Sequence, residues 1–83
     1  MREWLRQIRT DRGLTMKSVA DTLGISESYY CSIENGDRQK KMDMTVICGL
    51  SAALSIPITK VVDFESKYFE QQHKEVANGK LGN

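Results

Sequence analysis

The chain has 83 residues, 40% hydrophobic and 28% charged, with 12 Lys and Arg against 11 Asp and Glu. These values describe one small folded domain and exclude a disordered chain, while the near-zero charge lacks the basic excess that usually marks a nucleic-acid partner. No apolar run approaches the ~18 residues of a membrane span, and the N-terminal segment lacks a signal peptide's apolar stretch, so the expected location is the cytoplasm, with no membrane partner.

A domain of this length buries only roughly 60–65% of its unfolded surface, so its core must be efficient or borrow surface from a partner. Cys31 and Cys48 are too few for a disulfide scaffold and are expected reduced. No CxxC pair or Cys/His cluster suggests a metal, and the single histidine, His73, is expected to be solvated. No cofactor or small-molecule ligand is implied. Charge is slightly asymmetric: residues 1–42 hold eight basic and six acidic side chains, residues 43–83 four and five.

The first helix places Met1, Leu5 and Ile8, with Trp4, on one face, and Gly13 stops it. Thr15 caps a second helix, whose hydroxyl acceptor suits an unpaired N–H of the first turn. Val19, Ala20 and Leu23 form its apolar stripe, and Gly24 ends it. Ser26 caps a third helix, "SESYYCSIEN", closed by Gly36. Two short helices joined by a tight glycine turn describe a helix-turn-helix. Ala20 faces their crossing, Ile25 plugs the turn and Ile33 anchors the third helix to the core.

A basic loop, "DRQKKM", follows. Asp43 caps a fourth helix with Val46, Ile47, Leu50 and Leu54 buried. Ser55 stands at its end, where glycine is more usual. Pro57 opens a fifth helix at a position where a missing N–H costs nothing. Ile58, Val61, Val62 and Phe64 are expected inward, with Tyr68, Phe69 and Val76 continuing the pattern. "NGKLGN" is expected to fray. No strand, repeat or low-complexity tract is expected.

From about Leu5 to Phe64 the chain resembles the phage repressor/Cro-type helix-turn-helix family, also called the XRE family. "LRQIRTDRGLT", "VADTLGISESYYCSIENGDR" and "LSAALSIPITKVVDF" carry the resemblance without a gap. The middle run, with Ala20, Gly24 and Ile25 ahead of "SxxYxxxIENG", is the specific part. The resemblance implies an all-α, compact five-helix, lambda-repressor-like DNA-binding domain over residues 1–65. Residues 66–83 would form a C-terminal helical extension and tail, a candidate dimerisation element.

It further implies that the third helix enters the major groove of double-stranded DNA. Glu27, Ser28 and Ser32 match the family's base-reading positions. Tyr29 is a further base or phosphate contact, through its ring on a thymine methyl or its hydroxyl. Asn35 matches an asparagine that, with nearby backbone N–H groups, meets a phosphate. Lys17, at the anion-favouring start of the second helix, and Arg38, Lys40 and Lys41 in the loop are the remaining phosphate candidates, with Arg12 as an outlying one. Arg9 and Glu34 match a buried salt bridge and are assigned a structural role. Tyr30 is expected in the core. Two departures bear on affinity: Met16 replaces a phosphate-clamping glutamine, and Met42 replaces a loop proline.

One recognition helix reads too few base pairs to select a site in a genome, so a homodimer on an inverted repeat is expected. Tyr68 and Phe69 exceed the apparent needs of the core and are assigned to that interface, unless the last helix folds back over Trp4. About 20 residues after Phe64 are too few for a sensor domain, so a stand-alone repressor is expected; restriction–modification controller proteins share this size and architecture. A second class stays open: a protein-interaction module, such as an antitoxin or anti-repressor partner, favoured by the low charge, Met16 and Glu27. No nucleophile–base pair suggests an enzyme.

Overall fold

The computed structural model describes the backbone of residues 1–81 and the side chains of residues 1–72. Within these residues the chain forms five helices and no strand: α1 (Glu3–Asp11), α2 (Met16–Leu23), α3 (Glu27–Asn35), α4 (Met44–Leu54) and α5 (Ile58–Leu81). The expected all-α, five-helix architecture is therefore what the chain adopts. No single described helix is both long and apolar enough to cross a membrane.

Local chemistry sets the boundaries. Thr15 Oγ1 accepts from the Ser18 N–H at 3.0 Å, and the Thr15 N–H donates to Ser18 Oγ at 3.1 Å. This reciprocal pair satisfies a first-turn donor and fixes the cap residue's own N–H. Ser26 Oγ accepts from the Tyr29 N–H at 3.0 Å, and Asp43 Oδ1 from the Val46 N–H at 2.9 Å. Gly24 turns the chain from α2 toward α3 at φ 74°, a left-handed conformation that costs glycine little. Ser55 adopts the same region at φ 56° after α4. α1 ends at Asp11 with Arg12 as its cap, and Gly13 follows at φ 69°, the left-handed stop expected just after the cap.

The core comprises Leu5, Val19, Ala20, Tyr30, Ile33, Val46, Ile47, Leu50, Leu54 and Val61. α2 packs against both α3 and α4. Gly49 of α4 makes that approach close, since a methyl there would lie 2.8 Å from Leu23 Cγ. Met16, Ile25 and Met42 cover the core's edge. Met16 thus fills an apolar role where the resemblance implies a polar clamp.

α5 crosses residues 65 and 66 without a break and folds back against α1. The rings of Trp4 and Phe64 stack at 5.5 Å with planes 11° apart. Several sequence expectations need correction. Met1 precedes α1 and is 52% exposed, and Ile58 and Val62 are 42% and 44% exposed. The buried stripe of α5 instead runs through Val61, Phe64, Glu65 and Tyr68, leaving Ile58 and Val62 on its flank. Tyr68 is no surplus aromatic: its ring lies 5.0 Å from the Arg2 guanidinium carbon. The side chains of His73 and Val76 lie outside the described residues. The expected fraying over 78–83 meets a helix drawn to Leu81, with residues 82 and 83 outside the description.

Candidate nucleic-acid interface

α3 is held on its inner side and open on its outer one. Tyr30, Ile33 and Glu34 are buried, whereas Glu27, Ser28 and Asn35 are exposed and Ser32 is half-buried. At about 100° per residue, Ser28, Ser32 and Asn35 fall within about 60° of arc. They form one outward stripe. Glu27 sits about 100° from Ser28, toward Glu34, so the structure does not bring it onto that stripe. Tyr29 borders the stripe from the other side and is half-buried against the core.

Hydrogen bonds define what this stripe can offer. Ser32 Oγ donates to the Ser28 carbonyl at 3.2 Å, so its oxygen remains as an acceptor. The Asn35 amide donates to Cys31 Sγ at 3.7 Å, a weak contact. Cys31 is half-buried and lies one turn before Asn35. The backbone N–H groups just after α3 are engaged internally. Gly36 donates to the Ile33 carbonyl, and Asp37 and Arg38 both donate to Ser32. Those three amides close the helix end.

The inner side of α3 is fixed by a charged triad. Arg9 Nε donates to Glu34 Oε2 at 2.5 Å, Arg9 Nη1 to the Leu14 carbonyl at 2.9 Å, and Tyr30 Oη to Glu34 Oε2 at 2.7 Å. The hydrogen bond to Glu34 raises the Arg9 pKa above its ordinary value, against the opposing effect of burial. Burial, then the Glu34 hydrogen bond, pushes the Tyr30 hydroxyl well above the ordinary phenol range. Arg9 and Glu34 therefore tie α1 to α3 and are turned away from solvent.

The basic candidates are exposed. Lys17, in the first turn of α2, pairs loosely with Asp21 at 3.4 Å, an exposed contact that a phosphate can displace. Arg38, Lys40 and Lys41 all lie in the exposed loop after α3. Asn35, Lys40 and Lys41 line one cleft of about 580 Å³ between this loop and α5, together with Tyr68. Arg38 does not line it.

Two residues that sequence reasoning passed over organise the loop. Arg2 is fully buried; its Nη1 donates to the carbonyls of Ile33 at 2.5 Å and Arg38 at 3.1 Å, and its Nη2 to that of Gln39. Its remaining donors meet Glu65. Gln39, at φ 57°, donates from Nε2 to Tyr29 Oη at 2.9 Å and accepts at Oε1 from the Asp43 N–H at 3.0 Å. An arginine just before a helix and a glutamine in a basic run carry no sequence signal beyond ordinary surface polarity.

Among the described residues no group of three or more His, Cys, Asp or Glu could hold a metal ion. Cys31 and Cys48 are both unbridged thiols.

Comparison with known proteins matches residues 5–61 to a family described as Helix-turn-helix. An uncharacterized HTH-type transcriptional regulator, YqaF of Bacillus subtilis (strain 168), is 44% identical over 39 residues, which cover 47% of this chain and 51% of that protein. The chain thus spans about half the length of the relative it matches.

Proposed function

We propose a function from one premise, that the chain belongs to the helix-turn-helix family: it is a DNA-binding transcriptional regulator. It acts as a homodimer on an inverted-repeat operator, as a repressor or operon controller in the cytoplasm. α3 enters the major groove. Ser28 and Ser32 read base edges, with Glu27 contributing from the margin, and Tyr29, Lys17, Asn35, Arg38, Lys40 and Lys41 contact the backbone.

The observation that carries this reading is the asymmetry of α3. Its inner side is locked by Tyr30, Ile33 and Glu34, while its outer stripe presents Ser28, Ser32 and Asn35 to solvent beside a basic loop. A helix so firmly held from behind presents its outward groups with little remaining entropy to lose on binding.

Two-fold pairing follows from the need for specificity, since each module reads only a few base pairs. Met44, Ile58 and Val62 supply exposed apolar surface on α4 and α5 for it.

The test is selection from a random duplex library with the full chain at two salt concentrations. An enriched inverted repeat, with binding that falls steeply as salt rises, is expected. Weak, unselective binding confined to low salt would replace this reading with that of a protein-interaction module.

A further inference from the structure

Gln39 joins three parts of the molecule. Its carbonyl accepts from Arg2, its amide oxygen from the Asp43 N–H and its amide nitrogen donates to Tyr29 Oη. Gln39 and Ser55 are the only non-glycine residues with positive φ among those described. A left-handed conformation is unfavourable for a residue with a Cβ, so Gln39 is kept there by its contacts.

The direction of the Tyr29 bond follows from chemistry. A backbone N–H can only donate, so the Gln39 atom 3.0 Å from the Asp43 nitrogen is the amide oxygen. The other end of the amide is then its NH2, which also can only donate. Tyr29 Oη must therefore accept from it, and the single Tyr29 hydroxyl proton is left for another partner. The Tyr29 ring is half-buried against the core, so its oxygen is fixed at the border of the outward stripe. Phosphate oxygens are acceptors only, and a donor is what they require.

We propose that Gln39 is a positioning residue for DNA binding: it holds Tyr29 and reserves the hydroxyl proton for a phosphate oxygen of the duplex. The proposal rests on the reading of α3 as the groove-entering helix. Gln39 itself donates no bond to DNA. It acts through Tyr29, and Arg2 acts on Gln39 in turn through its carbonyl.

Gln39→Glu is the discriminating substitution. It keeps the side chain's shape, and one carboxylate oxygen still accepts from the Asp43 N–H. The other oxygen cannot donate, so Tyr29 turns its proton inward and loses it for DNA. The experiment is a double-mutant cycle on a duplex selected by the wild-type chain, using Tyr29→Phe, Gln39→Glu and both together. Tyr29→Phe is expected to weaken binding roughly tenfold or more in the wild-type background, on all duplexes alike. In the Gln39→Glu background the same change is expected to cost under about twofold, because the proton is already spent. Repulsion between the new carboxylate and DNA is present in both members of that second pair and cancels. An equal loss in both backgrounds, or no loss in the wild type, overturns the proposal.

A protein-only measurement separates this outcome from failure of the functional reading. The Gln39 side-chain amide resonance must move when Tyr29 becomes Phe, and a stationary resonance removes the contact on which the proposal stands. A chain that selects no duplex, with that resonance moving as expected, overturns the assignment of DNA as the acceptor and the functional reading with it.

Discussion

Arg2 and Glu65, 63 positions apart, form a two-pronged pair inside the fold, with Nε to Oε1 at 2.9 Å and Nη2 to Oε2 at 2.8 Å. Trp4 Nε1 adds a third bond to the same carboxylate at 3.3 Å. The guanidinium also serves three backbone carbonyls and faces the Tyr68 ring. One cation thus fastens the start of the chain, the end of α3, the loop and α5. Removing one partner leaves the other charge buried and unpaired, which costs about 3–5 kcal/mol. Arg2→Ala and Glu65→Ala are each expected to destabilise by that amount in urea titrations. Replacing both residues with leucine should cost less than either alanine change if the pair contributes mainly specificity.

The Tyr30–Glu34 bond makes stability depend on alkaline pH. The folded-state pKa of Tyr30 is raised, first by burial and then by Glu34. The folded protein therefore holds the proton where the unfolded chain releases it. The contribution is fully present below about pH 10, the ordinary phenol value, and declines as pH rises above it. Tyr30→Phe should cost about 1.5–3 kcal/mol at neutral pH, and the gap to wild type should narrow above about pH 10. Parallel stability curves from pH 7 to 11 would rule out this linkage.

The outward stripe and the loop should separate in a binding assay. Lys40→Ala is expected to weaken all duplexes alike and to lower the log–log salt slope by about 0.9. Ser28→Ala and Ser32→Ala should instead alter preference at one base pair each, by about 1 kcal/mol. Fluorescence anisotropy on the selected duplex and its single-base variants reads both effects. Unchanged binding by all three variants would contradict the docking geometry.

Self-association is expected to involve the apolar flank of α5. Val62→Asp places a charge at a position that is 44% exposed in the monomer, so folding should change by less than about 0.5 kcal/mol. Sedimentation velocity is then expected to show a dimer for the wild type and a monomer for this variant. A dimer that persists in this variant moves the interface away from Val62.

The helices and their caps were legible because each rests on neighbours in sequence. Thr15, Ser26 and Asp43 bond within three residues of themselves, and Gly24 marks a backbone need that only local geometry imposes. The α1–α3 salt bridge of Arg9 and Glu34 was legible only through the family's pattern. Arg2 and Gln39 were not legible, since their partners are set by how α1, α5 and the loop converge. The contact of Tyr68 with Arg2 was missed for the same reason: a sequence count of aromatic residues cannot tell that a buried guanidinium will occupy one ring. Ile58 and Val62 were placed inward because a helical pattern gives a stripe but not its width, and Glu65 enters the stripe through its pairing with Arg2.

Ser28 and Glu27 are both exposed, and neither side chain belongs to the core. Exchanges at such positions usually shift folding by under about 0.5 kcal/mol. On the proposed reading of α3, stability and DNA preference are therefore carried by different sets of atoms. A lineage could drift through many operator sequences on an unchanged chassis, and a designer could diversify 27, 28 and 32 to obtain regulators that ignore one another's sites.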